Sequence, residues 1–192
     1  MAKTYKERTA DVRTARIDAN WTELRLWAMT QEDAEHLKNE AERRRVATSE
    51  AQVREEGRKR GLPDDRVGRI LMAIKAQGAR EYTSPAGAIL ELMSDFAQAQ
   101  DLEAFAAAYH LYAKVHPGSQ RRVLEMAPTK LAAHYFHQHL DAYGALRLVR
   151  WQQDHPNWAE AAQHALQTDR LGNWVKHAID EIRATKLKEY DE

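Results

Sequence analysis

The stretch "TELRLWAM", Thr22 to Met29, has two readings that lead to different molecules. As a strand it sets Leu24, Leu26 and Ala28 on one side and Glu23, Arg25 and Trp27 on the other, the alternation of a half-buried ribbon. As a helix it joins Ile17 and Trp21 to Leu24 and Ala28 at spacings of four, three and four, which is one face of a 3.6-residue period. Asn20 with Glu23 three residues on is itself a cap pair for such a helix. The residues leave both readings open.

Outward from this stretch the chain reads as helical. Ala, Glu, Gln, Arg and Leu dominate, β-branched residues are sparse, and turn signals recur at helix-length intervals. Thr30 with "QED" behind it caps a helix through about Arg45, and Ser49 with Gln52 forms a capping box for a second helix to about Arg60. "GLPDD", 61–65, is a break, with Pro63 suited to a first helical turn. Val67, Ile70, Leu71 and Ile74 then make an apolar stripe. Ser84-Pro85 opens the next helix, with Ile89, Leu92, Met93 and Phe96 inward. Asp101 caps another, whose Leu102, Phe105, Tyr109 and Tyr112 repeat at helical spacing until "HPG", 116–118. Ser119 opens a short helix to Met126, and "APT" leads to a longer one from Lys130, which Gly144 kinks or splits before "DHPN", 154–157. Segments Trp158 to Leu166 and Trp174 to Lys186 complete the set. The expected fold is mainly α, a multi-helix bundle with or without one short N-terminal ribbon strand. A boundary at 61–65 separates a charged region, 1–61, from a bundle, 62–192, with 80–84 as the alternative place for it.

At 192 residues with 43% apolar side chains, the chain is long enough to bury a sizeable core. Basic and acidic residues number 29 each, but they are unevenly spread: residues 1–80 carry 18 and 14, net +4, and residues 81–192 carry 11 and 15, net −4. Such asymmetry suggests two jobs or two partners. The absence of cysteine removes disulfides, thiolate metal sites and cysteine nucleophiles. The charged start lacks the apolar core of a secretory signal, and no uncharged run approaches the roughly 20 residues of a membrane span. The expectation is a soluble, cytoplasmic protein.

If 22–29 is a strand, the order strand, helix 31–45, turn "VATS", helix 49–60 resembles the ribbon-helix-helix family of DNA-binding regulators, over residues 22–60 only. The resemblance implies a homodimer whose paired strands enter the major groove, with Glu23, Arg25 and Trp27 outward and Arg25 the bidentate reader of guanine. It also implies a phosphate clamp at the start of the second helix, at Thr48 and Ser49, where free backbone N–H groups favour an anion. The sequence departs from the family in lacking a glycine between the helices, in the bulk of Trp27, and in offering only Ala51 and Val53 to a shared core. Arg43, Arg44, Arg45, Arg58, Lys59 and Arg60 add a basic run that would neutralise phosphates; the competing reading is a solvated surface in which Glu55 pairs with Lys59 and Glu56 with Arg60.

The histidine-dense "HYFHQH", 134–139, lacks the i,i+4 histidine pair of a zinc-protease helix, so no metal site and no cofactor is expected; these rings read as interface packing. No phosphate loop or nucleophile elbow is present, which argues against an enzyme. The aromatic second half has its own alternative. Leu146, Val149 and Trp151 cannot share one helix face with Arg147 and Arg150 outside, so part of this set faces a partner or a second copy. Trp151 and Trp158 are the expected anchors. The leading expectation is therefore a non-enzymatic DNA-binding regulator acting as a homodimer. The alternative is an all-α adaptor or inhibitor that binds another protein, of the kind mobile elements encode.

Overall fold

The computed structural model describes residues 5–18, 28–76, 86–141 and 143–186. Among them the chain is a mainly α multi-helix bundle with nine α-helices and no strand. The ribbon expected at 22–29 falls, apart from Ala28 and Met29, outside the described residues, and so does Arg25. The helices are α1 (Tyr5–Asp18), α2 (Gln31–Lys59), α3 (Asp64–Lys75), α4 (Gly87–Gln98), α5 (Leu102–Val115), α6 (Gln120–Lys130), α7 (Gly144–Asp154), α8 (Trp158–Gln167) and α9 (Leu171–Ala184). Among the described residues no helix is long and apolar enough to cross a membrane.

Capping explains several boundaries. The Thr30 hydroxyl accepts the Asp33 N–H at 3.0 Å to open α2, and Asp101 accepts the Ala104 N–H at 3.0 Å to open α5. Gly61 ends α2 at φ +71°, with the Leu62 N–H returning to the Gly57 carbonyl and the Gly61 N–H to that of Arg58. The same left-handed ending recurs at Gln100 and Asp169, φ 58° and 57°, where a side chain stands in the place glycine usually takes.

Two expected breaks are absent. The "VATS" stretch lies inside one continuous helix, because Thr48 and Ser49 cost only tenths of a kcal/mol in a helix interior and Val53 and Gly57 beyond them dock on the bundle. Gly57 allows that docking: a Cβ there would stand 2.5 Å from Val67 Cγ2 on α3. "APT" likewise stays helical. Pro128 sits within α6, and the backbone beyond it widens into one π turn, Leu131–Tyr135, then tightens into a 3-10 turn, Phe136–His139.

The core is continuous from α2 to α9. Met93 and Phe96 of α4, Phe105 and Tyr112 of α5, Phe136, Leu166 and Ile182 are all buried to within 1%. The central pair is α4 and α5; α3 and α6 pack on α4, while the second half of α2 packs on α3 and α5. Val53 of α2 joins this same core, across the turn at 61–65. The first half of α2 is different: from residue 31 to 48 every side chain except Glu40 is exposed.

Candidate protein-binding groove

Where α2 meets the bundle, it leaves a cavity of about 230 Å³ open to the surface. One stripe of α2 forms a wall: Glu42, Val46, Ser49 and Val53 follow each other at spacings of four, three and four. The opposite wall is the end of α3, Leu71 and Ile74, and the end of α5, Val115. Those three and Val53 make an aliphatic floor, each 7% exposed or less. Val46 stands higher, 37% exposed. The rim charges are already matched in pairs, Arg45 with Glu42 and Lys75 with Glu50.

His116 closes one end. It caps α5, its N–H bonded to the Tyr112 carbonyl at 2.8 Å, and its ring leans on the Tyr112 ring with centroids 5.1 Å apart. Its Nε2 is buried with no hydrogen-bond partner. Beyond it lies a second cavity of about 200 Å³, lined by Val12 and Arg16 of α1, Arg45, and the turn through Gly118. Val12 seats directly on Gly118, so this is where α1 touches the body. Burial holds the His116 imidazole down at about 4, aided by the Arg45 and Arg16 guanidiniums; the nearby Ile74 backbone and Glu42 carboxylate oppose this without offsetting it.

Arg25 lies outside the described residues, and the other residues expected to hold DNA are taken up within the chain or spread along α2. Thr48 and Ser49 lie mid-helix, where the backbone amides are already bonded, so the anion clamp expected there is absent. Arg43 and Arg44, each 79% exposed, share Glu40 at 2.8 and 2.7 Å. Lys59 bonds Glu55 at 2.8 Å, the pairing expected of a solvated surface. Arg60 turns inward to Asp169 at 3.0 and 3.2 Å, while Arg58 is exposed.

Of the two expected anchors, Trp151 is 3% exposed and Trp158 half-buried, so Trp151 is a core residue and presents no ring to a partner. Its Nε1–H donates to Glu181 Oε2 at 2.9 Å, and its ring meets that of Phe136 edge-on. The face of α7 left outside carries Tyr143, Leu146 and Val149, exposed by 61, 60 and 53%. Among the histidines, His134 Nδ1 lies 3.3 Å from Gln98 Nε2 and His137 is exposed. Among the described residues no group of three or more histidine or carboxylate side chains could hold a metal ion.

The fold and groove define a helical bundle with an open apolar cleft. No family model matches the chain, and no curated protein or solved structure matches it.

Proposed function

We propose that this chain is a non-enzymatic adaptor or inhibitor that captures an amphipathic helix of another protein in the groove between α2, α3 and α5. One observation carries the reading: the cleft opens to solvent above an aliphatic floor, while its rim charges are paired within the chain. A guest helix laid there would bury apolar side chains without stranding a charge, which is how helix-in-groove recognition gains affinity. Val46→Glu tests this. It sets a carboxylate in the cleft at a partly exposed position, so the melting temperature should stay within about 2 °C. Affinity capture followed by mass spectrometry should recover a specific partner with the wild type and lose it with the variant. Equal recovery by both proteins rejects the groove.

Duplex DNA is the second reading, favoured by Arg43 and Arg44, both 79% exposed on the uncovered half of α2. It ranks below the first because a phosphate must draw both guanidiniums from Glu40. A titration at about 50 and 200 mM salt separates the two: a DNA binder loses affinity steeply, and Arg43→Ala with Arg44→Ala flattens the log–log slope by about two. No binding at the lower salt removes this reading.

A further inference from the structure

The exposed face of α7 is an apolar feature that the groove does not use. Tyr143, Leu146 and Val149 lie three residues apart in succession and are exposed by 61, 60 and 53%. The opposite face of the same helix, through Leu148 and Trp151, fills the core. The outer stripe contributes nothing to folding, and three large apolar side chains in one row mark an interaction surface.

The charges around the stripe indicate what covers it. Arg150 follows Val149 at the C-terminal end, and Asp141 stands just before the N-terminal end, where its carboxylate accepts the Tyr143 N–H at 3.1 Å. Inside one chain these groups are taken up sideways, Arg147 by Asp141 at 3.0 Å and Arg150 by Asp154 at 3.2 Å. A second α7 laid antiparallel about Leu146 sets Tyr143 of one copy on Val149 of the other. It brings Arg150 level with the residues just ahead of Tyr143 in the second copy, beside Asp141 of that copy. The two-fold axis then makes the same pairing twice. A parallel arrangement would instead set Arg150 against Arg150 and Asp141 against Asp141, and like charges facing each other are costly at an interface. The patch is therefore self-complementary in shape and in charge only in the antiparallel sense, and a two-fold isologous contact is the commonest way a surface of that kind closes.

We propose that α7 is a homodimer interface in which the Tyr143–Leu146–Val149 stripes of two copies pack antiparallel across Leu146. The dimer does not depend on the groove reading, since Val46 and Leu146 lie on different elements. Three side chains per copy make less than a standard interface, so the dissociation constant is expected to be micromolar or weaker.

Because the chain has no cysteine, a single introduced thiol reports one contact only. Leu146→Cys places two thiols across the axis, within reach of disulfide bonding. Under mild oxidation it should give one covalent dimer species at least ten-fold faster than Met72→Cys, a control on α3 that is 73% exposed. The unmodified protein should sediment as a concentration-dependent dimer, and Leu146→Glu should weaken that association by more than about ten-fold with its melting curve unchanged. A wild type that stays monomeric at several hundred micromolar overturns the proposal. So does self-association in which Leu146→Cys cross-links no faster than the control, since that identifies another surface or a head-to-tail contact. Partner capture that survives in Leu146→Glu leaves the groove reading standing in either case, and capture lost only in Val46→Glu tests that reading separately.

Discussion

Trp151→Ala is expected to destabilise the protein by about 3–5 kcal/mol, the range for truncating a fully buried large aromatic side chain. Trp151 is 3% exposed and meets three other rings: Phe136 edge-on at 6.4 Å, Trp158 at 6.0 Å, and His155, the cap of its own helix, stacked at 5.1 Å. Alanine leaves a cavity beside the buried Phe136 ring, where α7 packs on α9. It also deprives Glu181 of the indole donor at 2.9 Å. That loss is the smaller part, because the Glu181 side chain is 36% exposed and can turn to water and to His177. Trp151→Phe keeps most of the volume and should cost less than half as much. In a chain of 192 residues the alanine variant should melt roughly 10 °C lower, whereas Leu146→Ala on the outer face should change stability by no more than about 0.5 kcal/mol. Urea titrations of the three variants read both quantities. An alanine variant as stable as the wild type would mean that the indole faces outward.

The same helix shows what was legible in the sequence and what was not. Helical spacing divides α7 into two apolar rows, and it shows that Leu146 and Val149 cannot lie beside Trp151. It does not say which row is inside, because both are apolar. The size of tryptophan and its frequency at interfaces point outward; the structure turns it inward, because Phe136 and Ile182 fill the space opposite and the indole N–H has a carboxylate to bond. The helical class, the Asp101 cap and the stop at 116–118 follow directly from spacing and turn chemistry. The groove was hidden by one local signal. Ser49 with Gln52 makes a sound capping box, and a break drawn there cuts the stripe Glu42, Val46, Ser49, Val53 into unrelated halves. Tertiary packing of Val53 and Gly57 overrides that cap, and only with the helix continuous does the stripe become a wall. Pro128 misled in the same way, since it stands inside α6 without ending it.

His116 shows a different limit, because "HPG" marks the end of a helix and says nothing of the ring's surroundings. Its imidazole is held down at about 4, against an ordinary value of 6.5, first by burial and then by Arg45 and Arg16. A histidine with a depressed folded-state value contributes no penalty while both states are neutral, above about pH 6.5. As the pH falls below 6.5 the unfolded chain takes up a proton that the folded chain refuses. Stability is therefore lost steadily down to about pH 4, where the folded ring is protonated as well. At 1.36 kcal/mol per unit, the loss from this one group between pH 7.5 and 4.5 is on the order of 2–3 kcal/mol. His110 and His139, also lowered mainly by burial, add in the same direction. Carboxylates titrate over the lower part of this range too, so the informative quantity is the difference between wild type and His116→Asn, which keeps a polar group and cannot titrate there. The variant's unfolding free energy, from urea curves at both pH values, should fall by about 2–3 kcal/mol less than that of the wild type. Parallel losses in the two proteins would mean that His116 is not held neutral. The charge would appear between Arg45 and Arg16, at the seat of Val12 on Gly118 and at the end of the groove. Amide exchange should accordingly quicken first in α1 and in the turn through Gly118, and a guest helix should be held more weakly at pH 5 than at pH 7.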